Sequence, residues 1–580
     1  MRLAIQTLGP LFWSYRRGLA IGFGALLLKD LLGASLPIVI KAGVDALTTG
    51  FTLRSLFLFG LAMLALAAMK GFFQYWMRVL LIGISRDMEY DLRKRLFAHL
   101  IQLDNGFYLR YRTGDIMARA TNDLNAVRMM LGPGVMYWTE TSITFVLAFS
   151  VMLYTDWKLT LIALIPGPFV SLAVIFFGRH IHSRFENIQA LFSDISSRVQ
   201  ENLAGVRVLR AYVQEEAELA RFERLNREYI RQNLKLGIIS GLFMPLLEGL
   251  IGLVFLIILW AGGTRLLQGG ISLGSFMMFT IYMGMLTWPM IAMGWVVNLM
   301  QRGIASLERL HEIFQQQPAI AAPSNPVAVP EPLCGEIEFR GACVAFENGN
   351  AVGPIHLRIP AGRTVAIVGH TGSGKSTLVH LIPRLLDPTS GAVLLDGIDL
   401  REFDPTDIRR QIGFVPQETF LFSATLAENI AFGVETATRE QIQRAAEIAG
   451  LGPDIASFPN GLDTRVGERG ITLSGGQKQR TAIARAILRN PTILILDDAL
   501  SSVDTLTEER ILTHLADVLR DRTTILISHR VSTVRSASHI YVIENGLLAE
   551  QGSHESLLAQ GGYYADLHQK QLLEEELEAI

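Results

Sequence analysis

The sequence predicts a multidomain membrane protein: an all-α domain of six transmembrane helices with long cytoplasmic helical extensions, then an α/β P-loop domain. Three observations predict this. The first half holds six apolar runs near the roughly 20 residues needed to cross a bilayer. A stretch rich in proline and alanine follows them. Beyond it, strand-like runs alternate with helical ones, and one strand leads into a glycine-rich loop and a helix. At 580 residues the chain is too long for one core, and its 18% charged residues fall below the roughly 25% of soluble domains. A formal net charge of −2, from 52 Lys and Arg against 54 Asp and Glu, excludes a global basic field for nucleic acid. The composition also excludes a disordered, collagen-like or disulfide-stapled protein. Cys334 and Cys343 match no zinc or redox spacing and read as small buried or free thiols.

The apolar runs lie at about 19–40, 55–80, 135–154, 159–178, 237–261 and 272–297. Six crossings put both termini on one side. The connection between runs two and three carries Arg86, Arg93, Lys94, Arg95, Arg110, Arg112, Arg119 and Arg128. The connection between runs four and five is equally basic, from Arg179 to Lys235. The opposite connections hold little beyond Lys41, Arg54, Lys158 and Arg265. Lys/Arg excess marks the cytoplasmic side, so both termini and both long connections are expected there. No cleavable signal peptide is apparent. Met1 to Arg17 is expected either to lie along the membrane surface as an amphipathic helix or to fray.

Apolar residues at three and four spacings predict helix over Asp87–Leu103 and, with few breakers, over Phe185–Leu236. Such helices project into the cytoplasm at about 1.5 Å per residue. Between Phe107 and Asp123 the chain reads FYLRYRTGDIMARATND, and Gly114 with Asp115 is expected to break the run. The result is a turn with a short helix, either seated in another domain's groove or a solvated loop. Residues 318–332, PAIAAPSNPVAVPEP, form a linker, extended where proline dominates. The expected division is a transmembrane domain over 1–317, this linker, and a soluble domain over 333–580.

In the soluble part, Thr364–Val368 reads as a buried strand in a mostly parallel sheet. It is followed by Gly369-His370-Thr371-Gly372-Ser373-Gly374-Lys375-Ser376-Thr377 and a helical run from Leu378. This is a P-loop in its strand–loop–helix setting, and it points to a nucleoside triphosphate with Mg²⁺. The glycines let main-chain N–H groups close around phosphate oxygens, and the helix N-terminus adds partial positive charge. Lys375 is expected on the β- and γ-phosphates and the Ser376 hydroxyl on the metal. A second apolar strand, Ile493–Leu496, ends in Asp497, a carboxylate placed to hold Mg²⁺ directly or through water.

Between these strands lies Leu473-Ser474-Gly475-Gly476-Gln477. Ser474 and two glycines ahead of a helix make a second anion-binding N-terminus, without a lysine. With these motifs in this order the chain resembles the ABC transporters, in the exporter half-transporter arrangement of six membrane spans fused to one nucleotide-binding domain. The resemblance covers almost the whole chain and runs closest to Mdl-type multidrug-resistance-like halves of bacterial exporters. It implies ATP and Mg²⁺ as cofactors and a bacterial cytoplasmic membrane location. It makes Leu473–Gln477 the signature loop, which completes the partner's ATP site. By the same resemblance Gln417 is the Q-loop glutamine at the metal, and His529 is the switch histidine at the γ-phosphate. Ser501, Ser502, Val503 and Asp504 match the D-loop, and Gly467-Glu468-Arg469-Gly470 matches a segment that contacts the membrane domain. Phe346 stands where the family places an adenine-stacking tyrosine, and reads equally as a core aromatic. Thr113, Gly114 and Asp115 resemble the first coupling helix, and Gly205 lies in the segment before the second.

After Asp497 the family usually places a glutamate, the general base for the attacking water; this chain has Asp498. Aspartate is one methylene shorter, and a general base must come within about 2.6–3.2 Å of the proton it takes. The resemblance then implies one of two assemblies with a second half-transporter. In the first, this chain is the degenerate half of a heterodimer, whose intact signature loop serves the partner's P-loop and glutamate. In the second, a homodimer uses Asp498 as base. A mainly regulatory ATP-binding subunit is a third reading of the same residue.

The expected cargo is a small hydrophobic or amphipathic molecule, drug- or lipid-like, with membrane lipid as the surroundings and no nucleic acid as partner. A peptide exporter is the alternative. Polar residues inside spans are the candidates for a cavity. Glu248 and Lys70 either line it or pair with helix neighbours, and Arg78 snorkels. Trp288, Met290, Met293, Trp295 and Phe276 suit promiscuous apolar ligands and equally suit lipid-facing helices.

Overall fold

The computed structural model describes residues 9–50, 52–346, 349–467, 473–503 and 505–578. The chain divides into two compact units: Met1–Gln102 with Tyr111–Gln317, and Leu103–Arg110 with Pro318–Ile580.

The described residues of the first unit form helices joined by turns, with no strand among them. Among the described residues six helices are long and apolar enough to cross a membrane: Arg16–Thr48, Leu53–Leu100, Thr113–Thr155, Trp157–Ala204, Glu215–Leu267 and Leu273–Gln315. Each contains one predicted run, with Ser272 as the cap of the last. A 48-residue helix such as Leu53–Leu100 is roughly 72 Å long at 1.5 Å per residue, against roughly 30 Å of hydrocarbon. More than half of it therefore extends past the bilayer, as the charged pattern from Asp87 requires.

The turns have identifiable causes. Asp156 separates the third and fourth helices: one carboxylate oxygen accepts from the Lys158 and Leu159 N–H groups (2.9 and 3.0 Å). Its other oxygen takes the Arg265 guanidinium at 2.6 Å. Asp45 likewise accepts from the Ser272 hydroxyl and the Gly274 N–H, both at 2.8 Å. Lower in the same unit Asp123 is buried and accepts from Ser306 (2.9 Å) and from Arg309 (2.9 and 2.5 Å).

Two local expectations need correction. Gly114 and Asp115 do not break the chain; they lie inside the helix Thr113–Ala118. The break falls at Tyr111 and Arg112, and Asp115 occupies the first helical turn, where a carboxylate suits the positive end of the helix dipole. The stretch Phe185–Leu236 is not continuous either. It breaks at Gly205 and again at Tyr212–Gln214, where Val213 takes φ 51. The Gln214 N–H bonds back to the Leu209 carbonyl and Val213 N–H to that of Arg210, a left-handed helix stop usually made by glycine.

The second unit holds the sheets. Strands β1 (Ile337–Phe346), β2 (Gly349–Ile359), β4 (Ser390–Leu395) and β5 (Ile398–Asp399) form an antiparallel sheet in the order β2-β1-β4-β5. Strands β3 (Thr364–Val368), β6 (Ile412–Val415), β7 (Ile493–Asp497), β8 (Thr523–Ile527), β9 (His539–Glu544) and β10 (Leu547–Gly552) form the other, ordered β10-β9-β3-β8-β7-β6. All its pairings are parallel except the edge pair β9–β10. The sequence predicts this sheet; the separate antiparallel one is an addition. Strand β7 is buried on both faces: Ile493 and Ile495 join one core cluster, Leu494 and Leu496 another. Residues 318–332 form no helix or strand; bends interrupt them, and Val327 bridges to Phe403, its N–H donating to the Glu402 carbonyl at 2.9 Å.

Asp156→Ala removes both the cap and the Arg265 pairing, so it should cost about 2 kcal/mol of stability. Asp156→Asn keeps the cap acceptor and should cost about half as much. Thermal unfolding of the purified variants in detergent measures the difference.

Candidate active site

Parallel pairing places four loops side by side at the carboxyl ends of β3, β8, β7 and β6, the edge where open α/β sheets bind ligands. The P-loop leaves β3, His529 follows β8, Asp497 ends β7 with Asp498 next, and Gln417 follows β6. Lys375, Ser376, Thr377, Gln417, Asp497, Asp498 and His529 line one cleft of about 440 Å³, together with Thr371, Gly372 and Gly374.

The P-loop backbone explains its glycines. Gly369 sits at φ 154, and a Cβ there would lie 2.1 Å from the Ile543 carbonyl oxygen. Gly374, at φ 98, is the left-handed residue that opens the helix Lys375–His380. Inside this loop the Lys375 ammonium is buried and donates to the carbonyls of Gly369 (2.9 Å) and His370 (2.7 Å). Among the described residues no carboxylate forms an ion pair with it. Burial lowers its pKa, and the charges of Asp497 and Asp498 work against that shift. The Ser373 hydroxyl is buried nearby and has no hydrogen-bond partner among the described residues. A buried cation without an acidic partner beside an orphan hydroxyl fits a phosphate group.

Asp497 is buried, and burial pushes its carboxyl up from the usual range, opposed by the hydrogen bond from Ser376 Oγ at 3.1 Å. Hydroxyl, carboxylate and the Gln417 amide are the hard oxygen donors a magnesium ion takes. Among the described residues no three His, Cys, Asp or Glu side chains make a metal site by themselves, so such an ion would need ligands beyond this donor set. Asp498 takes φ 49, a left-handed conformation that short Asp and Asn tolerate best. Its N–H donates to the Ile527 carbonyl at 3.0 Å and its carbonyl accepts from Ser501 Oγ at 2.9 Å. The carboxylate lies 3.4 Å from Gln417 Nε2. His529 is half-buried; burial first, then the Lys375 charge, lower its pKa, with both aspartates opposing.

Leu473, Ser474, Gly475, Gly476 and Gln477 are not in this cleft. Ser474 caps the helix Gly475–Leu488, exchanging hydrogen bonds with Gln477 (2.9 and 3.3 Å). Sequence reasoning missed Gln479, whose buried amide bonds Ser501 Oγ and the Ser502 N–H, both at 2.9 Å. It fastens the signature helix to Ser501 and Ser502; its only sequence signal is a polar residue on a buried helix face. Asn545 and Gly546, also missed, complete the cleft wall. Phe346 ends β1, but its side chain lies outside the described residues, as do Asp504 and Glu468–Gly470.

A family model for the ABC transporter transmembrane region matches residues 19–290, and one for the ABC transporter matches residues 352–501. The chain is an ABC transporter. It is 37% identical over 574 residues, 98% of each chain, to the probable multidrug resistance ABC transporter ATP-binding/permease protein YheI of Bacillus subtilis. It is 36% identical to the multidrug resistance-like ATP-binding protein MdlA of Escherichia coli, over 100% of this chain and 98% of that one. The ATP-dependent lipid A-core flippase of Syntrophus aciditrophicus is 35% identical over 96% of this chain and 93% of its own. A solved structure of a bacterial Atm1-family ABC exporter with ATP bound superposes with a TM-score of 0.78 at 29% identity, covering 96% and 98% of the two chains. This ABC transporter is thus a half-transporter of the exporter type, a multi-pass membrane protein that couples ATP hydrolysis to transport. Half-transporters of this type work as dimers.

In the transporter's membrane half Lys70 lines a cavity of about 220 Å³ with Lys29, Asp30, Glu140, Tyr137 and Trp288. Lys29 pairs with both Asp30 (2.8 Å) and Glu140 (2.5 Å). These three were missed, although Lys29 and Asp30, adjacent charges inside an apolar run, were a signal. Glu248 is exposed on the fifth helix and pairs with no described residue.

Gly369→Ala should reduce ATP binding by at least about tenfold, because the added Cβ drives the loop off the Ile543 carbonyl. Lys375→Ala should weaken binding comparably while leaving the loop folded. Titration with a fluorescent ATP analogue checks both, and unchanged affinity in Lys375→Ala would remove Lys375 from the phosphate site.

Proposed function

We propose that this transporter is the slow-site half of a heterodimeric exporter that moves hydrophobic or amphipathic molecules out across the bacterial cytoplasmic membrane. Both termini and both long basic connections lie in the cytoplasm. The nucleotide-binding domain spans 333–580, after a transmembrane domain to 317 and a linker. The relatives' names support the cargo class: two are named for multidrug resistance and one as a lipid A-core flippase.

The P-loop N–H groups of Gly369–Thr377 and the Lys375 ammonium bind the phosphates of ATP. Ser376, Asp497 and Gln417 would hold Mg²⁺, which would neutralise phosphate charge. Asp498 receives the proton of the attacking water, His529 hydrogen-bonds the γ-phosphate, and Phe346 stacks on the base. The signature loop Leu473–Gln477 and the D-loop Ser501–Asp504 serve the partner's ATP. The segments around Thr113–Asp115 and Gly205 transmit closure of the nucleotide domains, and the cavity alternates its access. Glu248 and Lys70 contribute to the cargo path.

The observation that carries the slow site is Asp498. Its backbone is held by Ile527 and Ser501, so the missing methylene of reach is not recovered by a main-chain shift. General-base contributions run to roughly 10²–10⁴-fold, which sets the scale of the loss. One observation favours the homodimer instead: the Asp498 carboxylate already sits beside Gln417 in the cleft.

ATP turnover of this chain alone in lipid separates the two. The slow-site reading expects little turnover, little further loss in Asp498→Asn, and a rise of about tenfold or more in Asp498→Glu. Brisk turnover abolished by Asp498→Asn would establish a working homodimer.

A further inference from the structure

The last described helix, Tyr563–Glu578, carries side chains onto the ATP site that no motif assigns. Its start is anchored by Glu550, whose two carboxylate oxygens accept from the Tyr563 (2.6 Å) and Tyr564 (3.3 Å) N–H groups. Tyr564 is fully buried, with its hydroxyl 2.8 Å from His554 Nδ1. Tyr564, Leu567 and Gln571 follow at three and four spacings and so share one helix face. Tyr564 and Leu567 pack into the cluster containing Val531 and Val534. Tyr563 meets the ring of His370, in the P-loop, edge-on with centroids 4.5 Å apart.

At the far end of this face, the Gln571 amide grips the loop after β8 at two points. Its Nε2 donates to the His529 carbonyl at 2.5 Å, and its Oε1 accepts from the Val531 N–H at 2.7 Å. One side chain thus fixes the main chain on both sides of Arg530. From the opposite side the Arg530 guanidinium donates to the Val503 carbonyl at 3.0 Å and pairs with buried Glu508. The His529 loop is held between the C-terminal helix and the residues that follow Asp498, and its side chain lines the cleft with Lys375 and Asp497.

We propose that Gln571 is a positioning residue for ATP hydrolysis: it sets the main chain of the His529 loop, and so aims the imidazole into the cleft. This rests on the reading of His529 as the switch histidine. A polar contact to a reacting group tolerates little displacement, and a shift of about 1 Å costs up to about a hundredfold in rate.

The test is single-turnover ATP hydrolysis by the full chain in lipid, which reads a slow site as well as a fast one. Gln571→Met keeps the length and removes both hydrogen bonds. Gln571→Glu keeps the acceptor for Val531 but turns an oxygen on the His529 carbonyl. Both should lower the rate about tenfold, with the half-saturating ATP concentration changed by less than about twofold. In a His529→Ala background, adding Gln571→Met should change the remaining rate by less than about twofold, because the two residues act as one unit. Equal losses in both backgrounds would mean a merely structural helix contact and overturn the proposal. So would a loss explained by weaker ATP binding, or wild-type rates in both Gln571 variants while His529→Ala is slow. A wild-type rate in His529→Ala itself would instead sink the reading of His529, and this proposal with it.

Discussion

A buried ammonium with no acidic ion-pair partner among the described residues governs the nucleotide-binding half of this chain. Lys375 is 6% exposed, and its described partners are two carbonyls of its own loop. Burying a cation is costly unless its donors are answered, so the loop must turn those carbonyls inward. It does so through Gly369, whose backbone no other residue can adopt against the Ile543 carbonyl. The charges of Asp497 and Asp498 favour its charged form against the burial that lowers its pKa. The order of the parallel strands then fixes which side chains share its field: β8 brings His529, β7 the two aspartates and β6 Gln417. Burial first, and then the Lys375 charge, biases the His529 imidazole toward its neutral form, with both aspartates opposing.

What the sequence made legible was whatever is encoded by local spacing. The apolar runs fall inside the six long helices, and the P-loop lies in its strand–loop–helix setting. Features resting on one residue doing another's usual task were not legible. Gly114 and Asp115 look like a break, yet an acidic first turn is a good helix start. Val213 stops a helix in the conformation glycine normally supplies, so no glycine announces it. Long-range pairs were the other blind spot. Gln479 with Ser501 and Ser502, and Gln571 with His529, are amide contacts across the fold that composition and periodicity do not encode.

Three aspartates of the membrane unit share one pattern of contact. Asp45, Asp123 and Asp156 each join a turn or helix to a distant one through a carboxylate that answers several donors at once. In a unit whose helices are apolar over most of their surface, such points fix register, because sliding by one residue would strand a charge.

The shared lysine near the middle of the first helix bears on how the chain is made. Lys29 and its neighbour Asp30 pair with each other, so the two charges inside the apolar run of the first helix offset one another. Glu140, the third member, is synthesised 111 residues later, as part of the third helix. The consequence concerns assembly: the Lys29–Asp30 pair is complete within the first helix, whereas Glu140 meets Lys29 only once the third helix lies against the first.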